Sequence, residues 1–282
     1  MENQKTKYIR FKRFSKSYSF LFLFLILGSI LLLLIIFSLI DMVVKHLVLN
    51  LDNFIDTLYD QYVIYTIILT FYASFIATII TIIFGTPLAY VIARYQFKGK
   101  AIIDSIINIP LMIPHSVAGL LVFSLFMRKG LIGAPFREIG IMFEDTILGI
   151  IVALLFVSMP IYINMVRDGF KSINPRLRRV AYSLGSNERS AFMRIMLPLN
   201  KRYIITGSVM CWARGISEFG AVILIAYYPM IAPVLVYYRF NTKGLEGSAP
   251  IALILIIICL LIFIGIYYLT KEQKPNKSGE KN

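Results

Sequence analysis

The sequence predicts an all-α integral membrane protein with six transmembrane helices and both termini on the cytoplasmic side. Three observations predict it. Of 282 residues, 58% are hydrophobic and only 16% are charged, against about 25% charged in an ordinary soluble domain. The apolar residues gather into six runs, each at least the ~20 residues needed to cross a hydrocarbon core of ~30 Å at ~1.5 Å rise per residue. The net charge of +14 falls in alternate loops. A soluble globule of this size could not cover so much apolar surface. A nucleic-acid-binding domain would set its Lys and Arg among polar residues, so nucleic acid is not an expected partner.

The first run, Leu21 to Ile40, carries no charge and follows a basic tail at residues 1–17. It is too long for the apolar stretch of a cleavable signal peptide, and no small-residue cleavage site precedes Asp41, so a retained helix is expected. With its external loop it fills residues 18–61, ahead of a transmembrane core at 62–270 and a cytoplasmic tail at 271–282. The second run is Val63 to Ala93, with Gly85 and Pro87 inside it; the third is Ala101 to Met127, broken by Pro110 and Pro114. Thr146 to Val166, Tyr203 to Ala226 and Ala249 to Leu269 complete the set. Cys211 and Cys259 lie in apolar runs and read as two buried thiols. His46 and His115 are too few and too far apart for a metal site.

Orientation comes from the loops. The amino tail, Arg94 to Lys100, Arg167 to Arg202 and the carboxyl tail hold 22 of the 29 basic residues and a net charge of +17. The alternate loops sum to −2, and Asp104, Arg214 and Glu218 within the runs add −1. The positive-inside rule makes the first set cytoplasmic, which gives a multi-pass protein of the cell membrane.

The connection from Arg167 to Arg202 is 36 residues long, more than a turn requires. Asn174 is a good N-cap, and Pro175 suits the first helical position, where its missing N–H costs nothing. Leu177, Val180, Ala181 and Leu184 then recur on one face, with Arg176, Arg178 and Arg179 around them, and Gly185 is placed to end the helix. A second short segment, Ser186 to Met196, leads to Leu197-Pro198. Such a helix either lies on anionic lipid or docks into a cytoplasmic partner.

Gly185 followed nine residues later by Ile195-x-Leu197-Pro198 resembles the cytoplasmic loop of ATP-binding-cassette importer permeases. In that family Glu-Ala-Ala precedes the Gly; here Arg179, Val180 and Ala181 stand there, so the acidic residue is absent. The resemblance implies a coupling helix, between transmembrane helices four and five, that sits in a cleft of an ATPase subunit. Within the family, the segments Ile109 to Gly119 and Ala213 to Ala221 resemble the molybdate/tungstate permeases, and Ala226 to Pro233 is most similar to the tungstate branch. The likeness covers about Tyr62 to Leu269. It implies a homodimer, cytoplasmic ATPase subunits and an extracytoplasmic oxyanion-binding protein. It also implies no catalytic residue or cofactor in this chain, ATP being bound by the partner subunit. The chain has no phosphate-binding Gly-x-x-x-x-Gly-Lys-Ser/Thr loop. A sulfate permease is the near alternative.

Arg214 and Glu218 lie mid-run, where a charge costs about 2.5–3.5 kcal/mol. Their i, i+4 spacing allows them to pair. That pair either fixes helix packing or lines the solute path together with Ser217 and Gly220. Pro110 and Pro114 should break or kink the third run. The freed backbone there, with His115 and Ser116, offers the N–H and O–H donors that a tetrahedral oxyanion wants; a plain packing kink is the other reading. A self-sufficient secondary transporter would place ionisable residues in several spans or show an internal repeat. An intramembrane enzyme would need paired carboxylates, a metal cluster or a nucleophile with its base. The sequence displays none of these features.

Overall fold

The computed structural model describes the backbone of residues 2–271 and the side chains of residues 20–266. Every regular element among the described residues is helical. In chain order these are α1 (Glu2–Val43), a π turn (Val44–Val48), α2 (Leu51–Tyr59), α3 (Gln61–Arg94), α4 (Lys100–Met112), α5 (His115–Phe126) and α6 (Gly133–Glu138). Then follow α7 (Ile147–Ser172), α8 (Pro175–Ser183), α9 (Glu188–Ala191), a second π turn (Phe192–Met196), α10 (Leu197–Leu199), α11 (Lys201–Ile216), α12 (Val222–Ile225) and α13 (Ala232–Lys271). The last is two helical stretches joined at Gly244, whose φ of 70° and ψ of −160° lie outside helical space.

The chain divides into two compact units, one of residues 59–255 and one formed by residues up to 58 with those from 256 onward. In the second unit, the most apolar 18 residues of the stretch Phe20–Val48 are not buried against protein, as befits a helix whose solvent is lipid, while His46 near its end is buried.

The larger unit is built on α3, α7 and α11, which pack closely on one another. Three properties of the sequence permit this. Glycines admit neighbours: the ring of Tyr162 lies against Gly85, and Met165 and Tyr162 lie against Gly207. A buried hydroxyl stripe on α3 satisfies itself, with Thr70, Ser74 and Thr78 each donating to the carbonyl four residues back at 2.6–2.8 Å. Without water a free hydroxyl would be costly, so each turns to its own helix and leaves the surface flat for a neighbour. Where a hydroxyl does cross between helices it is matched: Thr86 and Tyr162 share a hydrogen bond of 2.6 Å. At one end this core closes over Ile92, Val166, Phe170 and Met196, all essentially inaccessible.

Caps set the helix starts. Asp60 accepts from the N–H groups of Tyr62 (2.9 Å) and Val63 (3.4 Å) at the start of α3, and Arg239 of α13 pairs with the same carboxylate. Thr146 accepts from Gly149 at the start of α7.

The structure revises several predicted spans. Among the described residues, four helices are long and apolar enough to cross a membrane, or five if one bent pair counts as a single span. That pair is α4 with α5, which meet at 114°, so the run Ala101 to Met127 is not one straight helix. Pro114 marks the break: the residue before it, Ile113, is extended (φ −87°, ψ 152°), as steric clash with a following proline demands. Pro110 does not break the chain; it sits inside the last turn of α4. The run Tyr203 to Ala226 is also interrupted, with α11 ending at Ile216 and α12 beginning at Val222. α7 runs on to Ser172, past the expected limit at Val166. Its last turns keep their charges paired, Arg167 to Asp104 at 2.8 Å and Lys171 to Asp168 at 3.7 Å. Cys211 is buried as expected, whereas Cys259 is only half-buried.

Gly169 of α7 has no room for a side chain, because an added methyl would strike Asn200 Oδ1 and the ring of Tyr203. Gly169→Ala is expected to lower the melting temperature of the purified protein in detergent, at a cost of about 1–3 kcal/mol for overpacking. Gly28→Ala, in open surroundings, is the control and should melt as the parent does.

Candidate functional site

Two helix breaks lie against each other in the larger unit. One is the α4–α5 break at Ile113-Pro114; the other is the stretch Ser217–Ala221 between α11 and α12. They approach as closely as backbones can. A Cβ on Gly119 would come within 2.7 Å of the Ala221 backbone, and one on Gly220 within 2.8 Å of His115 Cβ. The two glycines therefore set the spacing between the breaks.

The charged pair occupies this junction. Glu218 is 1% exposed and Arg214 20%. Arg214 Nη2 donates to Glu218 Oε2 at 2.7 Å and lies 3.0 Å from His115 Nδ1, which is itself 3.5 Å from that carboxylate oxygen. The other oxygen, Oε1, accepts the N–H of Ala221 at 2.8 Å. Arg214 Nη1 reaches Ser217 Oγ at 3.4 Å, and Ser217 donates back to the Arg214 carbonyl at 3.1 Å. One buried carboxylate thus ties the end of α11, the start of α5 and the start of α12.

Of the residues that the sequence nominated for the path, Pro114, His115, Arg214, Ser217, Glu218 and Gly220 come together here, and Ser116 follows His115 on α5. Pro110 lies one turn back within α4. Pro114 offers no side-chain cap, and the first recorded backbone bond of α5 runs from Ala118 N to Pro114 O. The start of α5 thus leaves the N–H groups of His115, Ser116 and Val117 without an intrahelical acceptor. With the positive end of the helix dipole, such donors suit an anion. The side chains of His115 and Ser116 are exposed. Arg214 contributes less net charge than its position alone suggests, because Glu218 is beside it.

The long loop folds as its punctuation predicts. Asn174 Oδ1 accepts from Arg176 N at 2.9 Å with Pro175 at the first position of α8. At the other end Gly185 N donates to Tyr182 O (2.9 Å) and Ser186 N to Ala181 O (3.0 Å), the paired bonds of a Schellman cap. Gly185 has φ +83° with open space around it, so it is required for its backbone conformation and not for close packing. Ala181 is buried, while Leu177, Val180 and Leu184 are exposed, Leu184 by 80%. Arg176 and Arg179 are exposed beside them. In the segment Ile195–Pro198, the buried residue is Met196, which fills the core between α3 and α7, while Pro198 is exposed. Ile195 sits in the π turn and Leu197 opens α10.

Sequence reasoning missed several polar residues. Glu188 Oε1 accepts the hydroxyls of both Tyr90 and Tyr95 at 2.8 Å, and Arg178 approaches it at 3.9 Å. Burial works to raise the Glu188 pKa, but the two tyrosine hydroxyls and the Arg178 guanidinium together outweigh it and hold the carboxyl below its usual range. Asn164 donates to Asn108 at 2.6 Å between α7 and α4, in line with the Arg167–Asp104 pair. The spacing of Asp104 and Asn108, one turn apart in an apolar run, was a readable sign of a facing polar partner. The tyrosines carried no such sign.

A model of the binding-protein-dependent transport system inner membrane component family matches residues 85–274. The chain belongs to this family. It is therefore a multi-pass membrane permease component and not an enzyme. Relatives include the molybdate/tungstate transport system permease proteins of Pyrococcus abyssi, 43% identical over 69% of this chain and 73% of that one, and of Methanocaldococcus jannaschii, 38% identical over 65% and 72%. The sulfate transport system permease protein of Synechocystis is 31% identical over 65% of this chain and 66% of that one. Among solved structures, a bacterial transporter for import of the acidic polysaccharide alginate superposes with a TM-score of 0.72 at 19% identity, covering 93% of this chain and 97% of that one. The permease fold is thus shared well beyond the reach of sequence similarity.

Glu218→Ala would leave the Arg214 guanidinium and the Ala221 N–H without their acceptor. Breaking a buried pair from one side costs about 3–5 kcal/mol, so the variant is expected to accumulate poorly or to lose transport. A stable, fully active Glu218→Ala permease would show that the junction does not depend on this carboxylate.

Proposed function

We propose that this chain is the membrane-spanning subunit of an ATP-binding-cassette importer that carries molybdate or tungstate into the cytoplasm. The relatives at 38–43% identity are named for those two oxyanions, while the sulfate permease is more distant. Two copies form one pathway, two ATPase subunits bind on the cytoplasmic side, and an extracytoplasmic protein delivers the oxyanion. The chain crosses the membrane six times with both termini in the cytoplasm. The crossings are α1, α3, the bent α4–α5 pair, α7, the interrupted α11–α12 and the second stretch of α13. The +17 charge of the loops that this topology places inside is the support for the orientation.

The observation that carries the mechanism is the exposed apolar face of α8. Leu177, Val180 and Leu184 stand in the open on a helix capped at both ends. An apolar patch with arginines at its edge fits a groove in a partner. Here α8 is the coupling helix, with Asn174, Pro175, Arg176, Arg179, Val180, Ala181, Leu184 and Gly185 forming the docked segment. Ile195, Leu197 and Pro198 lead from it towards α11. Closure of the ATPase dimer on ATP pushes α8, and the helix breaks at Pro114 and at 217–221 are where the spans give way. At that level the donors of α5 and Ser217 contact the passing oxyanion, while Arg214 and Glu218 brace the gate.

Three results would test this. Affinity purification of the tagged permease is expected to recover the ATPase stoichiometrically, and Val180→Asp with Leu184→Asp should abolish that recovery while membrane insertion stays normal. Gly185→Val, which forces a β-branched residue to φ +83°, should strain the cap by about 1–3 kcal/mol and reduce uptake severely. In proteoliposomes with all partners, tungstate and molybdate should drive ATP hydrolysis at lower concentration than sulfate. Purified permease that moves oxyanion without an ATPase would overturn the proposal.

A further inference from the structure

A helix pushed from the cytoplasm does work on the membrane only if a stiff connection leads onward. α8 follows α7 directly through Ile173 and Asn174 and packs on α9 and the following π turn, so that short segment is its packed route to the rest of the core. The hydrogen bonds recorded from that segment to α3 and its end converge on Glu188, the first residue of α9. On its outer side Glu188 faces Arg178 of α8, whose guanidinium lies over the rings of Tyr95 (5.3 Å) and Tyr182 (5.4 Å). On its inner side a single carboxylate oxygen holds Tyr90, in the last turns of α3, and Tyr95, just beyond it. The Tyr90 ring is buried, with its edge against Phe170 of α7 at 5.2 Å and Phe192 of the π turn at 4.7 Å. Arg94 locks the same end of α3 to α7 by donating to the Ile173 carbonyl at 2.9 Å.

We propose that Glu188 is a positioning residue for transport: with Arg178, Tyr90 and Tyr95 it transmits movement of the docking helix to α3 and, through Arg94, to α7. This rests on α8 being the docking helix. Charge and geometry both favour the assignment. The two phenols hold the carboxylate by charge-assisted hydrogen bonds of 2.8 Å on one side, and the Arg178 guanidinium at 3.9 Å attracts it as an ion pair on the other, so the carboxylate is held from both sides. Glu188 remains nearly half exposed (46%), so it is not needed to fill the core. The neighbouring apolar residues Phe170, Phe192 and Met196 do that.

The test uses the full complex of permease, ATPase and binding protein in proteoliposomes. In Tyr90→Phe/Tyr95→Phe both rings stay and only the two hydroxyls go. ATPase recovery and melting temperature are expected to match the parent. The ratio of binding-protein-stimulated to unstimulated ATP hydrolysis should fall at least tenfold, and tungstate uptake with it. Glu188→Ala should behave alike, and Glu188→Gln, which keeps one acceptor oxygen, should recover part of the ratio. Parental uptake in the double phenylalanine variant would overturn the proposal. So would a loss of stimulation matched by loss of ATPase recovery or of melting temperature, since that would mark a purely structural role. Undiminished ATPase recovery in Val180→Asp/Leu184→Asp would instead overturn the docking reading, and this proposal with it. Diminished recovery there beside normal uptake in the tyrosine variants would leave docking standing and remove Glu188 alone.

Discussion

In hydrocarbon no water is available to satisfy a polar group, so a break in a helix must be repaired by protein or face a water-lined cavity. Glu218 makes that repair for the break after α11. Its two oxygens hold the Arg214 side chain and the Ala221 N–H, and His115 lies beside them. The break after α11 is tolerable because the carboxylate satisfies the Ala221 N–H just ahead of α12, and the carboxylate is tolerable because Arg214 is one turn away. The α5 break closes the same arrangement from the other side, with Gly119 and Gly220 allowing it near enough to touch. Neither break has the same set of partners without the other. A pair of interrupted helices is thus a single unit, held together by one carboxylate.

The same requirement shapes the scaffold. The threonines and serines of α3 bond to their own backbone, which lets α7 and α11 approach over a surface that is polar in composition but closed in hydrogen bonding. Between α4 and α7 the solution is reciprocal, with Asn108 facing Asn164 and Asp104 facing Arg167. At the end of α3 and α7 the polar groups are partly exposed, and there the contacts become ionic and aromatic around Glu188. Self-contained hydrogen bonding in the middle therefore gives way to ionic and aromatic contacts at the end that meets α8.

What the sequence discloses is what depends on near neighbours. The α8 caps at Asn174, Pro175 and Gly185 are written in consecutive residues, and so is the pairing of Arg214 with Glu218 across one turn. The break at Pro114 follows from local sterics as well, but its 114° bend does not, because a proline says where a helix stops and not which way the chain leaves. The interruption after Ile216 was hidden in an apolar run, since hydropathy weighs composition and is blind to a carboxylate capping the next helix. The extra turns of α7 were read as loop from their charges. Those charges are paired across to α4 or along the helix, a relation set by packing. Glu188 lay beyond sequence reasoning for a related reason: its partners Tyr90 and Tyr95 are more than ninety residues away.

The open face of α8 also bears on how much of this protein a cell can hold. Leu177, Val180 and Leu184 are hydrophobic side chains displayed to water on a well-ordered helix. Such a surface is harmless once covered, but it is sticky and recognisable as unfolded protein when bare. Under the docking proposed for α8, a permease made in excess of its ATPase would leave this face bare, a target for quality-control proteases and a seed for aggregation at the membrane surface. Under that proposal, matched synthesis of the two subunits would be a demand set by this helix, separate from anything it does during a transport cycle.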